Sequence, residues 1–177
     1  MLTASCCEVK PHERLATLTW SDADRVTAAT GLPLSAFAEW EWMDADHTQA
    51  WLDVHPAYAS YLGPKSRRLG LKAVGGACVL LERGKGCRLS EAARPISCRL
   101  YPFDVGEGLL QVERFGDVAE ARRLVESGAA HACLAIEEAK SPSQLMRAFG
   151  TSRRKVRALV EQLRAEIRAH AARERQR

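Results

Sequence analysis

Glycines divide the middle of this 177-residue chain into short apolar runs. Between residues 70 and 115 these runs include GGACVLL, ERGKGC and FDVGEGLLQVERF. Short apolar runs bounded by glycine predict small strands and turns, and glycine inside a long helix is unfavourable. We expect a hairpin over residues 104–115 that turns at Gly106-Glu107-Gly108.

Patterns with helical spacing lie on both sides of that segment. Ser21 is the expected cap of the first helix and Gly31 its expected stop, and residues 44–47 read as a break. The predicted helices span residues 21–31, 33–42, 117–128, 141–150 and 152 onward. One apolar stripe follows the last helix, formed by Val156, Leu159, Val160, Leu163 and Ile167.

These patterns together predict an α+β fold. We expect a mostly helical single domain with a small central hairpin and turn-rich region and a long C-terminal helix. Residues 1–150 would form the cysteine-bearing domain, and residues 151–177 a basic amphipathic helix packed on the same domain. All four tryptophans fall between positions 20 and 51, so much of the aromatic core should come from this part of the chain.

The net charge of +4 comes from the C-terminal end. Residues 151–177 hold nine Arg or Lys against three Glu, whereas the rest of the chain is slightly acidic. A basic segment attracts nucleic acid or an acidic membrane surface without specificity. No aromatic residue follows Phe149 to stack on bases, so we do not expect nucleic-acid binding.

The expected cellular compartment determines how the six cysteines are interpreted. No apolar run is long enough to span a membrane, and the start lacks a basic segment followed by a long apolar stretch, so we expect the cytoplasm. In a reducing cytoplasm six cysteines are a poor disulfide framework. Metal binding or catalysis is then the better explanation for them.

Three of the cysteines, Cys78, Cys87 and Cys98, lie in the glycine-rich middle of the chain. Loops there can let thiolates converge on a soft metal. Arg94 and Arg99 flank Cys98, and a helix start near Pro95 would add to their effect. We therefore expect Cys98 to be held as a thiolate, which binds metal but is also the form that acts as a nucleophile.

The run ACVLLERGKGCRLSEAARPISCRLYPF, residues 77–103, resembles the core signature of the CxxCxxCC or YkgJ-like zinc- or iron-chelating proteins. Upstream, Cys6-Cys7 resembles the closing pair of the family's N-terminal cluster, and LTWSDADRVTAATGLPLSAF resembles the segment that follows it. Downstream, Cys133 lies where the family often has a further cysteine. The cluster is incomplete, because Thr3 occupies one cysteine slot and another falls before Met1.

The resemblance implies a metal site with six candidate ligands and a second shell of Arg94 and Arg99. Either zinc or an iron–sulfur cluster would suit such thiolates, and the residues do not choose between them. His131 could replace a missing sulfur ligand, although an ordinary helix-end histidine is the simpler interpretation. The ligand candidates are Cys6, Cys7, Cys78, Cys87, Cys98 and Cys133.

Two other functions fit the same residues. One is a thiol-based redox enzyme or sensor that uses Cys98, with Cys6-Cys7 as its partner. The other is a nucleic-acid or protein interaction module in which zinc is purely structural, and of these two partners we expect a protein. His47 and His55 are eight residues apart in an acidic stretch, which we interpret as a solvated turn and helix entry rather than a metal site.

Overall fold

The structure is a computed structural model that describes residues 7, 15–62, 66–82, 85–106, 109–112, 136 and 138–176. Its helices are α1 (Trp20–Thr30), α2 (Leu34–Phe37), α3 (Ala45–Val54), α4 (Ile96–Leu100), α5 (Pro142–Ala148) and α6 (Arg153–Arg175). Its strands are β1 (Ala38–Trp42), β2 (Arg67–Leu71), β3 (Ala73–Val74), β4 (Ala77–Cys78), β5 (Leu81–Glu82), β6 (Gly86–Cys87), β7 (Phe103–Gly106) and β8 (Leu109–Val112). The strands pair as four separate antiparallel two-stranded sheets, in chain order.

The predicted fold class is confirmed, since the protein is mostly helical with small antiparallel sheets and a long C-terminal helix. The hairpin predicted over residues 104–115 is confirmed where it is described, with Phe103 opposite Val112 and Gly106 opposite Leu109. The helix predicted at 117–128 lies outside the described residues. How the chain divides into domains stays a prediction. No helix among the described residues is both long and apolar enough to cross a bilayer.

The cap of helix α1 lies two residues earlier than predicted. Thr19, rather than Ser21, accepts the backbone N–H of Asp22, and the Asp22 carboxylate accepts the backbone N–H of Thr19 in return. This reciprocal capping box satisfies two donors that the first turn would otherwise leave unpaired. Gly31 ends the helix in the left-handed conformation, with φ of 70°.

The helix predicted over residues 33–42 is wrong beyond Phe37. Only α2 is helical, and the sequence AEWEW then forms β1, which pairs with β2 from Ala38 opposite Leu71 to Trp42 opposite Arg67. Alternation of acidic and aromatic residues has a period of two, which suits a strand. Pairing with a distant strand decided the conformation of a segment whose local pattern was ambiguous.

Helix α6 packs its apolar stripe against the rest of the protein and leaves its basic face exposed. All five predicted stripe residues are buried, and the helix contacts α1 and α4. Around it lies a hydrophobic core of residues from the centre and C-terminal part of the chain, including Tyr58, Ile96, Leu100 and Ile167. This arrangement is what an amphipathic helix requires to be stable.

A second hydrophobic core joins the N-terminal part of the chain to the small hairpins. It includes Leu18, Phe37, Leu69 and Leu80, all of them almost completely buried. The tryptophans divide between core and surface, because Trp20 is buried whereas Trp42 is 70% exposed. The expected aromatic core is therefore formed only in part by the tryptophans.

Candidate functional site

Four of the six cysteines lie around one cavity of about 60 Å³ on the edge of the second core. They are Cys7, Cys78, Cys87 and Cys98, and each comes from a different local element. The remaining lining is mainly aliphatic, from Leu15, Ala16, Leu71, Leu80, Leu89 and Pro95, with Arg94 as the charged member. The fold thus brings together thiols that are far apart in the sequence.

Two tight hairpins place Cys78 and Cys87. Cys78 ends β4 and lies opposite Ala73, and Cys87 ends β6 and lies opposite Leu81. Gly86, immediately before Cys87, has φ of 96°, a conformation that other residues rarely adopt. The glycines that mark the middle of the sequence therefore serve the geometry of the cysteines that follow them.

Cys7 joins the site through its backbone. The carbonyl oxygen of Cys7 accepts a hydrogen bond from the Cys78 backbone N–H at 2.6 Å. Because this bond joins the two residues that carry the thiols, it fixes Cys7 beside β4. Cys78 is almost completely buried, and Cys7 is half-buried.

Helix α4 delivers Cys98 between the two cores. Pro95 precedes the helix as expected, and Ile96 and Leu100 are buried in the core around α6. Cys98 packs instead against the core that contains Cys78. Positions two apart on a helix face different directions, so one short helix can anchor itself in one core and present a thiol to the other.

Burial and the neighbouring thiols disfavour ionisation of two of these cysteines, Cys78 and Cys98. Burial raises the pKa of Cys98 well above its usual range, and the neighbouring Cys7 and Cys78, Asp22 and Cys87 raise it further. Burial also raises the pKa of Cys78 to about 11, with smaller contributions from Cys7 and Cys87 and an opposing hydrogen bond at Leu80. Cys78 and Cys98 therefore favour the neutral thiol while the site holds no cation.

The expectation that Arg94 and Arg99 hold Cys98 as a thiolate is wrong. Neither guanidinium counts among the groups that shift the pKa of Cys98. The Nε of Arg94 donates to the Leu89 carbonyl at 3.2 Å, and both arginines lower the pKa of exposed Glu91, after the larger effect of Lys155. Desolvation of a buried thiol outweighs charges directed elsewhere. Burial therefore disfavours the thiolate that an activated nucleophile at Cys98 would require.

The donor set suits a thiophilic metal, but the thiols line the cavity rather than converge on one point. No group of three or more His, Cys, Asp or Glu side chains within the described ranges is placed as a set of metal ligands. Four cysteine sulfurs in an aliphatic setting match zinc or an iron–sulfur centre and do not match magnesium or calcium, which require oxygen ligands. Coordination would draw the four sulfurs inward.

The other candidate ligands divide into two groups. Cys6, His131 and Cys133 lie outside the described residues. His47 matches the interpretation as a solvated turn and helix entry, because its ring is exposed and bonds the N-cap residue Asp44 at 2.8 Å. His55 instead lies half-buried at the C-terminal end of α3, with its ring tilted against Trp51 at a centroid distance of 5.6 Å. Neither histidine lines the cysteine cavity.

Sequence reasoning missed Asp22, which is 1% exposed and contacts the helix that carries Cys98. In the sequence it reads only as an acidic residue that favours a helix start. Its place three residues after Thr19 fits a capping box, which was the available signal. Nothing local could indicate the contact with residue 96.

Comparison with known proteins gave no match, whether with family models, curated proteins or solved structures.

Proposed function

We propose that the protein is a cysteine-ligated metal protein that holds zinc or an iron–sulfur cluster through Cys7, Cys78, Cys87 and Cys98. The observation that carries the proposal is their convergence on one cavity from four separate segments. A single cysteine at a hydrophobic core is common, but four cysteines around one space are not explained by packing alone.

The chemistry of the donors supports this assignment. Four thiolates form the standard set for tetrahedral zinc and for common iron–sulfur clusters. When bound, zinc would stabilise the fold and a cluster would supply electron transfer. The chain's own residues would ligate the group, and the aliphatic lining would keep water from it, which tunes such centres.

The cavity between the cysteines is large enough for a metal ion. A water molecule needs roughly 10–15 Å³ of cavity space, and the cavity measures about 60 Å³. Arg94 provides positive charge at its wall. A positively charged neighbour stabilises an anionic thiolate centre. In the proposed site Arg94 has this role beside the ligands, and Arg99, which does not line the cavity, is the second candidate for it.

The resemblance of residues 77–103 to the YkgJ-like chelating proteins supports the same proposal. Within that signature, Cys78, Cys87 and Cys98 are three of the four residues at the cavity. Cys6 and Cys133 are ligand candidates that rest on this resemblance alone, and the biological setting that we propose is a reducing cytoplasm.

Two alternatives make different predictions. A thiol enzyme requires a low pKa at its nucleophile, whereas burial raises the pKa of Cys98. An interaction module with structural zinc shares the metal site with the main proposal. It would contain zinc and no iron, and its function would depend on a protein partner.

The test is anaerobic purification followed by elemental analysis, sulfide analysis and an absorption spectrum. Brown protein with iron and acid-labile sulfide would identify a cluster, and colourless protein with stoichiometric zinc would identify a zinc site. Folded protein that contains neither metal, and takes up neither when they are supplied, would refute the proposal.

Variants separate ligation from packing. Cys78→Ser removes a proposed ligand, whereas Leu80→Ala shortens a buried side chain that lines the same cavity. Both should lower stability, the second by about 2–5 kcal/mol through loss of buried contacts. Only Cys78→Ser should lower the metal content per folded protein. Equal metal loss in both variants would contradict ligation by Cys78.

A further inference from the structure

The carboxylate of Asp22 lies at the junction of three helices. Its Oδ1 accepts the backbone N–H of Ile96, the first residue of α4, at 2.8 Å, and it also contacts the Arg25 guanidinium. Its Oδ2 accepts the backbone N–H of Thr19 at 2.8 Å and lies 2.9 Å from the Thr19 hydroxyl. One buried carboxylate therefore joins the start of α1 to the start of the helix that carries Cys98.

A third helix completes this junction. The guanidinium of Arg25 donates to Glu166 of α6 at 2.6 Å, and the Thr19 hydroxyl lies 2.8 Å from the same carboxylate. Burying charge is costly unless the charge is paired and hydrogen-bonded. Asp22, Arg25 and Glu166 each have a partner on another helix or within the cap of α1. The main effect of these bonds is to fix the relative positions of the three helices, rather than to raise the free energy of unfolding.

A second hydrogen bond attaches α4 to the N-terminal segment. The Ser97 hydroxyl donates to the Thr17 carbonyl at 3.0 Å. Thr17 follows Leu15 and Ala16, which line the cysteine cavity. Ile96 and Ser97, the two residues before Cys98, are thus bonded to Asp22 in the first turn of α1 and to Thr17 just before that helix.

We propose that Asp22 is a positioning residue of the thiolate site, which holds the first turn of α4 so that Cys98 faces Cys7, Cys78 and Cys87. This inference rests on the proposed function. Among the described residues Asp22 has no hydrogen bond to a cysteine, and it acts through the backbone of Ile96. Its contribution is to preset the fourth thiol, so that binding a metal does not first require α4 to be ordered.

The test compares Asp22→Asn with a matched control, Glu174→Gln. Glu174 lies on α6, as Glu166 does, and its carboxylate accepts hydrogen bonds from Arg67 at 2.9 Å and from the Trp20 indole at 3.0 Å. Among the contacts that the structure describes, Glu174 has none with α4. Asparagine has one acceptor oxygen and cannot serve all the donors around Asp22. Both variants lose one charged hydrogen-bond partner, and only one affects the Cys98 helix.

The measurement is the rate of zinc release from zinc-loaded full-length protein to a chelator. Groups that orient ligands typically change metal affinity about 10–100-fold, and we expect Asp22→Asn to release zinc at least about tenfold faster than Glu174→Gln. In hydrogen exchange, the Ile96 amide should lose protection in Asp22→Asn and keep it in Glu174→Gln. Ser97→Ala should also release zinc faster than wild type. If Asp22→Asn does not fold, Ser97→Ala replaces it in the comparison.

The outcomes separate the two levels of the argument. Wild-type protein that takes up no zinc or iron would refute the proposed function. Wild-type protein that retains zinc, with Asp22→Asn releasing it no faster than Glu174→Gln, would refute the role of Asp22 alone. If only Ser97→Ala folds, unchanged zinc release would refute that role equally.

Discussion

His170 should make the protein sensitive to mild acid. The ring is 1% exposed, stacks on Tyr61 with centroids 4.0 Å apart, and its Nδ1 accepts the Trp20 backbone N–H at 3.2 Å. Its Nε2 is buried and has no hydrogen-bond partner among the described residues. Burial lowers the pKa of His170 to about 4, against the opposing effect of Glu174.

The sign and size of the effect follow from linkage. The ordinary pKa of a histidine ring is 6.5, so at a higher pH the ring of His170 is neutral in both the folded and the unfolded protein. Its titration then takes nothing from the free energy of unfolding. As the pH falls from there towards about 4, the unfolded chain binds a proton that the folded protein does not. The free energy of unfolding then falls by about 1.4 kcal/mol per pH unit. We expect a loss of about 2 kcal/mol between about pH 7.5 and about pH 5.

The assay is chemical denaturation of wild type, His170→Phe and His170→Asn at both pH values. Phenylalanine keeps a ring against Tyr61, asparagine keeps an acceptor for the Trp20 N–H, and neither titrates. Loss of metal at acid pH affects all three proteins alike, so the difference between them isolates His170. If wild type and both variants lost equal stability on acidification, the proposed effect of His170 would be refuted.

Three further predictions concern packing, charge and thiol reactivity. Trp42→Ala should change the free energy of unfolding by less than about 0.5 kcal/mol, because Trp42 is 70% exposed. Phe37→Ala removes a side chain of the second core and should lower that free energy by about 3–5 kcal/mol. Equal losses for the two variants in chemical denaturation would contradict the burial pattern. Glu166→Ala should cost about 2–3 kcal/mol by leaving Arg25 poorly paired, and exposed Glu161→Ala on the same helix should be nearly neutral; comparable effects would count against the junction at α1. With metal removed, Cys98 should react with iodoacetamide at about pH 8 more slowly than a free cysteine, followed by mass spectrometry; faster reaction would revive the nucleophile hypothesis.

Local signals predicted most of the elements correctly. Gly31, Pro95 and Ser152 mark element ends in the sequence as they do in the structure. The stripe on α6 was visible because its period is that of a helix. The failure at β1 has a physical cause, since its conformation depends on β2, which lies more than 20 residues away along the chain.

The candidate site was predictable in its residues but not in its electrostatics. Cys78, Cys87 and Cys98 stood out by spacing and resemblance, and Cys7, which was a candidate through the resemblance alone, lies at the same cavity. Arg94 and Arg99 flank Cys98 in sequence without lowering its pKa, because burial is a property of the folded core. Asp22 was missed for the same reason, since its contact to Ile96 spans 74 residues.

X-ray absorption at the metal edge of anaerobically purified protein tests the central claim most directly. The account predicts a first coordination shell of four sulfurs, at about 2.3 Å if the metal is zinc. Cys98→Ser, prepared identically, should lose metal or show one sulfur fewer. A first shell dominated by nitrogen or oxygen, or a shell unchanged in Cys98→Ser, would contradict a metal site built from these four cysteines.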